Sequence, residues 1–191
     1  MCGQCITWNW RDREDKTYER LLCKNDIPSS EDHEFIEWEA DENGIIKIPS
    51  AGFTENVPSD THKWENINEV WMATYPETGT NLGTNITDAP MLSYKIKVAE
   101  EGNYYIWIKG EGPDGNGDSV NYGVDGERTA TITFFERPWS NYTQYTNVRA
   151  AIYLTSGIHD LNIWMREDSV KIMIIVLTRD GDYTPKDEDF L

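Results

Sequence analysis

Basic residues, histidine, cysteine and long apolar runs are all scarce in this sequence. Lysine and arginine together number 17 against 34 aspartates and glutamates, a net charge of −17. Such a surface repels phosphate backbones, which argues against nucleic acid and anionic membranes as partners. It argues mildly against strongly anionic polysaccharides too, and leaves neutral glycans and cations open. No apolar run approaches the roughly 18 residues that a membrane-spanning helix needs. Met1-Cys2-Gly3-Gln4-Cys5 carries no basic-then-apolar leader pattern, so either the chain stays where it is made or a leader is missing from this sequence. The three histidines, His33, His62 and His159, form no zinc-like cluster. Cys2 and Cys5 have the spacing of a redox or zinc half-site, but no second pair or paired histidine motif completes it. A Cys2–Cys23 or Cys5–Cys23 disulfide with one free thiol is the alternative in an oxidising compartment. Gly-x-Ser-x-Gly, phosphate-loop and dinucleotide motifs are missing as well. A glycosidase-type carboxylate pair can be drawn almost anywhere in so acidic a chain, and no spacing singles one out. The want of a catalytic motif points to a binding module.

What is present is β-structure and aromatic rings. The 191 residues suffice for one domain with a sizeable core. They include 8 Trp, 10 Tyr and 5 Phe, more than a core alone requires, so some rings are expected to face a ligand. Residues 1–33 read as an N-terminal extension or docked arm. Within it Tyr18, Leu21 and Leu22 have helical spacing, and Asp26 to Ser30 reads as a linker. From Phe35 onward the pattern is strand and turn. Candidate strands are 34–40, 44–48, 91–98, 103–109, 118–124, 129–135, 147–154, 159–165 and 171–178. Leu92, Tyr94, Ile96 and Val98 alternate with Ser93, Lys95 and Lys97, the period of a half-buried strand. Lys171 to Thr178 is apolar on both faces. No strand–helix–strand rhythm appears, so the predicted fold is all-β, an antiparallel β-sandwich or jelly roll. The predicted sandwich covers 34–185, with an acidic tail at 186–191. The stretch 49–90 has few strand signals and reads as a long functional loop holding Trp64, Trp71 and Tyr75. Two Asn-x-Thr sequons occur, at Asn85 and Asn141.

Five segments in order carry a resemblance. They are Gly102 to Gly110; the Gly-Pro-Asp-Gly turn at 112–115; Asp118 to Gly126; Gly157 to Asp168; and Lys171 to Thr178. Together they resemble the carbohydrate-binding β-sandwiches of the family-six and family-thirty-five type, and most closely the C-terminal accessory domain of family-115 glycoside hydrolases. The resemblance implies a non-catalytic module that binds a polysaccharide or oligosaccharide and targets a larger protein or assembly to it. It implies an extracellular or cell-surface location. The other readings are an assembly domain that keeps the fold without sugar binding, and an enzyme.

The resemblance also implies sites. Sugar is expected at the loop end of the sandwich, on Trp64, Trp71 and Tyr75 from the early loop and on Trp139, Tyr142 and Tyr145 from the middle loop. Asp168, near the last strands, is expected to supply polar contacts, with Glu167 and Lys171 close by. Flat rings suit the C–H faces of pyranoses, and a few polar groups suit their hydroxyls. Glu37 and Glu39, which share one face of their strand, are expected either to hold a structural calcium, with Asp180 or backbone carbonyls completing an oxygen shell, or to form a solvated strand face. Met173 stands where related modules place a further aspartate, and a thioether is too soft a donor to replace it. Asp118 and Arg166 are expected to pair.

Overall fold

The structure is a computed structural model. It describes residues 37–134, 139–141 and 148–187, together with the backbone of 6–11 and 17–22. The chain divides into two units, residues 1–35 and 36–191. In the first unit β1 (Ile6–Arg11) pairs antiparallel with β2 (Thr17–Leu22), with Ile6 opposite Leu22 and Trp10 opposite Tyr18. The helical spacing of Tyr18, Leu21 and Leu22 is overridden here, since the threonines and aromatics of both segments favour strand. Cys2, Cys5 and Cys23 lie outside the described residues.

The second unit is a sandwich of two sheets. Its strands are β3 (Trp38–Glu39), β4 (Ile45–Pro49), β5 (Glu55–Val57), β6 (Lys63–Ile67), β7 (Trp71–Tyr75), β8 (Met91–Val98) and β9 (Gly102–Glu111). After these come β10 (Ser119–Val124), β11 (Glu127–Thr133), β12 (Trp139–Ser140), β13 (Ala151–Leu154), β14 (Gly157–Met165) and β15 (Lys171–Thr178). The first sheet has the order β11-β10-β14-β8-β3, with β5 also on β8. The second has the order β12-β9-β15-β7-β6, with β13 on β9 and β4 on β15. Every pairing is antiparallel except β3 with β8. Among the described residues there is no α-helix, and no helix is long and apolar enough to cross a membrane.

Period-2 alternation fixes which faces meet. Leu92, Tyr94 and Ile96 of β8 and Leu161, Ile163 and Met165 of β14 are each fully buried. They join Ile106 and Ile108 of β9 and Ile172, Ile175 and Leu177 of β15 in one core between the sheets. β15 is apolar on both faces because it is central. Its outward Val176 is covered by a second small cluster with Ile45 and Trp107, on which Trp139 and Tyr183 pack. The register of β15 on β9 shifts between Ile172 and Ile174, a bulge that lets Ile172 and Ile175 both face the core.

The stretch 49–90 is not one long loop. It contains β5 and the hairpin of β6 and β7, which forms the edge of the second sheet. The hairpin turn holds Asn68 and Glu69 at φ 56° and 61°, the left-handed region that asparagine tolerates. Asn66 Oδ1 accepts the Glu69 N–H at 2.8 Å and closes the turn.

Candidate functional site

Three loops meet at one end of the sandwich, and two buried carboxylates tie them together. Asp168 Oδ2 accepts the Thr78 N–H at 2.6 Å, the Thr78 hydroxyl at 2.9 Å and the Thr80 N–H at 3.0 Å. His62 Nε2 lies 3.6 Å from the same oxygen. Glu167 takes the Asn81 amide at 2.7 Å, the Asp118 N–H at 3.3 Å and the Ser119 hydroxyl, and it forms an ion pair with Arg166. Arg166 therefore pairs with Glu167, its neighbour in sequence, rather than with Asp118. Asp118 accepts the Thr133 hydroxyl at 2.9 Å. The loop backbones pack so closely that two positions require glycine. A Cβ on Gly112 would stand 2.0 Å from the Gly117 carbonyl, and one on Gly117 would stand 2.9 Å from the Asp168 carbonyl.

Asp168 is thus a positioning group. Only 2 % of it is exposed, and its Oδ2 is taken up by the 78–80 loop, which it holds in place. Burial pushes its carboxyl up. The Thr80 and Thr78 amides, the Thr78 hydroxyl and the nearby His62 outweigh that and hold it below the ordinary 3.8. A carboxyl whose folded pKa is depressed contributes stability that is fully present above the unfolded value and is lost as pH falls through the folded one. Stability is accordingly expected to drop below about pH 4, and Asp168→Asn should flatten that acid limb. Urea midpoints for both proteins between pH 2.5 and 6 check this, and an unchanged slope in the variant would remove Asp168 as the cause.

Beside these ties opens a cleft of about 310 Å³, lined by Glu77, Glu111, Gly112, Pro113, Ser169 and Lys171. Lys171 Nζ lies 3.1 Å from Glu111 Oε1 across it. Two of its lining residues, Glu111 and Lys171, stand opposite one another at the end of β9 and β15 in the second sheet. Lys171 is paired with Ala73 in register, so Trp71 and Tyr75, two residues either side of Ala73, share the outer face of that sheet. Both rings are half-buried. Trp139 pairs with Lys109, whose ammonium sits 5.8 Å from the indole centroid, and this places Trp139 on the same outer face. β9 and β15 separate it from β7, a span of about 14 Å at the usual inter-strand spacing.

The expected site residues therefore part company. Trp71, Tyr75 and Trp139 share one sheet face. Trp64 has the opposite parity: it pairs with Thr74, is 3 % exposed, lies in the core, and donates its indole N–H to the Pro90 carbonyl at 3.1 Å. Its ring has no face to offer a ligand. Tyr142 and Tyr145 lie outside the described residues. Sequence reasoning missed that the early rings stand on a strand, and that Glu77 and Glu111 share the cleft. Trp164 is buried on the outer side of the first sheet, between Asn121 and Met91 in register. Of the two sequon asparagines, Asn85 is exposed and Asn141 is 1 % exposed.

Of the expected calcium donors, Glu37 and Glu39 are exposed, and Glu39 is paired with Lys97 at 3.1 Å. Asp180 Oδ1 accepts the Asp182 N–H at 2.8 Å. Among the described residues no three His, Cys, Asp or Glu side chains gather as a metal shell.

The model of the glycosyl hydrolase family 115 C-terminal domain matches residues 40–185 of this sequence. The chain belongs to that family. The match to this family 115 C-terminal domain takes in the cleft and every strand of the two sheets except β3. An uncharacterized protein of Formosa agariphila is 27 % identical over 56 % of this chain, and the chain spans 30 % of that relative's length. Among solved structures, the C-terminal CBM6 of a marine laminarinase from Zobellia galactanivorans aligns with 71 % of this chain and 99 % of its own, at 14 % identity and a TM-score of 0.46. A carbohydrate-binding module from Cellvibrio mixtus lichenase 5A, in complex with cellotriose, aligns with 71 % of this chain and 97 % of its own, at 16 % identity and a TM-score of 0.45.

Proposed function

We propose that this domain is a non-catalytic glycan-binding module. Its sugar-contacting surface is the outer face of the second sheet together with the cleft at its end. One observation carries the reading: Trp71, Tyr75 and Trp139 share a face of the sheet that carries, at one end of β9 and β15, a cleft walled by Glu77, Glu111 and Lys171. Rings meet the apolar faces of pyranoses and the charged groups meet their hydroxyls. Membership of a glycosyl hydrolase accessory-domain family supports the same class of ligand. The ligand is a neutral or weakly acidic polysaccharide, since the −17 charge opposes a strongly anionic one. The domain acts outside the cell, as part of a longer protein or assembly that it holds to glycan.

A site this open and wet should bind a short oligosaccharide with a Kd on the order of 10 µM to 1 mM. Affinity electrophoresis on a polysaccharide panel tests the reading, with turnover assayed on the same glycans because Glu77 and Glu111 share the cleft. Trp71→Ala should weaken binding by about ten- to a hundredfold, the worth of one stacked ring at roughly 1–3 kcal/mol. Its melting temperature should stay close to the parent's, because the ring is on the outside. A panel in which no polysaccharide retards the protein would hand the domain to the assembly reading, and turnover would make it an enzyme.

A further inference from the structure

The outer face of the second sheet is not open along its whole width. After β15 the chain turns back and runs along β9. Gly181 lies against the Tyr105 ring, so close that a Cβ there would come within 3.1 Å of it. Two residues on, the Tyr183 ring packs on Ile45, Trp107 and Val176, and Pro185 is buried. At Asp187 one carboxylate oxygen accepts both the Trp139 indole N–H and the Lys109 ammonium, each at 2.7 Å. Those two hydrogen bonds hold the Asp187 carboxyl below its ordinary range. The segment thus lays a ring over Trp107 and an acceptor oxygen on Trp139. These are the two kinds of contact, stacking and oxygen acceptance, that a sugar would make on the same surface.

We propose that residues 181–187 form a strap that competes with glycan for the Trp139 half of the face. The inference rests on the glycan-binding reading above and concerns regulation of that same site. With the strap seated, glycan has Trp71, Tyr75 and the cleft. With the strap lifted, Trp139 and Lys109 lose the Asp187 acceptor, and Trp139 joins the binding face. The Asp187 contact is the weak end of a strap that Tyr183 and the buried Pro185 anchor. The Asp187 side chain is 66 % exposed, and exposed ion pairs hold little. A strap closed about nine-tenths of the time lowers apparent affinity roughly tenfold, since only the open fraction competes.

The experiment compares the parent with Asp187→Ala, an exposed change outside the binding rings, and with Tyr183→Ala as a second release. Retardation is measured on the same polysaccharide panel, and the Trp139 indole N–H resonance is followed without glycan. The expected result is a shifted, faster-exchanging indole signal in both variants and glycan binding about three- to tenfold tighter than the parent's. An unmoved indole resonance would mean that the strap is not seated on the ring, and would overturn the proposal. So would a shifted resonance with unchanged affinity on a glycan the parent binds. If the resonance shifts but no glycan binds any of the three proteins, the glycan reading fails, and the competition inferred from it fails with it.

Discussion

Glu167→Ala is expected to cost about 3–5 kcal/mol of folding stability, the loss that follows when one partner of a buried ion pair is removed and the other keeps its charge. Arg166 is 9 % exposed and Glu167 3 %, so water cannot take the carboxylate's place cheaply. The Asn81 amide and the Asp118 N–H lose their acceptor at the same time. Glu167→Gln keeps the shape and one acceptor oxygen and should recover part of the loss. A urea titration reads both, with the midpoint falling and the slope unchanged while unfolding stays two-state. A loss under about 1 kcal/mol for the alanine variant would show that the carboxylate does not hold the three loops. The functional consequence is loosening at the cleft, since Asn81 and Ser119 flank the loops that Glu167 joins.

How far the sequence spoke for itself depended on the range of the interactions. The alternation in β8 and β14 is local, and β14 pairs along the whole of β8, from Gly157 opposite Val98 to Trp164 opposite Met91. Local pattern was enough to find them, and the run apolar on both faces at 171–178 proves to be the central β15. The β6–β7 hairpin was not legible, because Asn66, Asn68 and Glu69 look like loop composition. There the asparagines form the turn instead of interrupting a strand. Missing that hairpin hid the parity that separates Trp64 from Trp71. Asp168 was legible as a polar group near the last strands, but not as the tie to the 78–80 loop. Its partners Thr78 and Thr80 lie 90 and 88 residues away in the chain, and no spacing rule links them. The strap was invisible for the same reason: an acidic tail reads as solvated until Asp187 is found on Trp139.

Trp64→Ala should be the other large loss, about 3–5 kcal/mol, the usual cost of truncating a buried aromatic to alanine. The ring fills the core beneath the hairpin, and its N–H bond to the Pro90 carbonyl at 3.1 Å goes with it. The comparison with Trp71→Ala gives the measurement its force. The two tryptophans stand on paired strands of one hairpin, seven residues apart, and point to opposite sides of the same sheet. If the sheet face decides function, Trp64→Ala lowers the denaturation midpoint and leaves the affinity of the folded fraction unchanged, while Trp71→Ala does the reverse. Denaturation and glycan titration on both variants separate the two effects. A Trp64→Ala protein that stays as stable as the parent but loses glycan would return that ring to the binding site, and would mean that the early aromatics act from the loop end, as the sequence alone suggested.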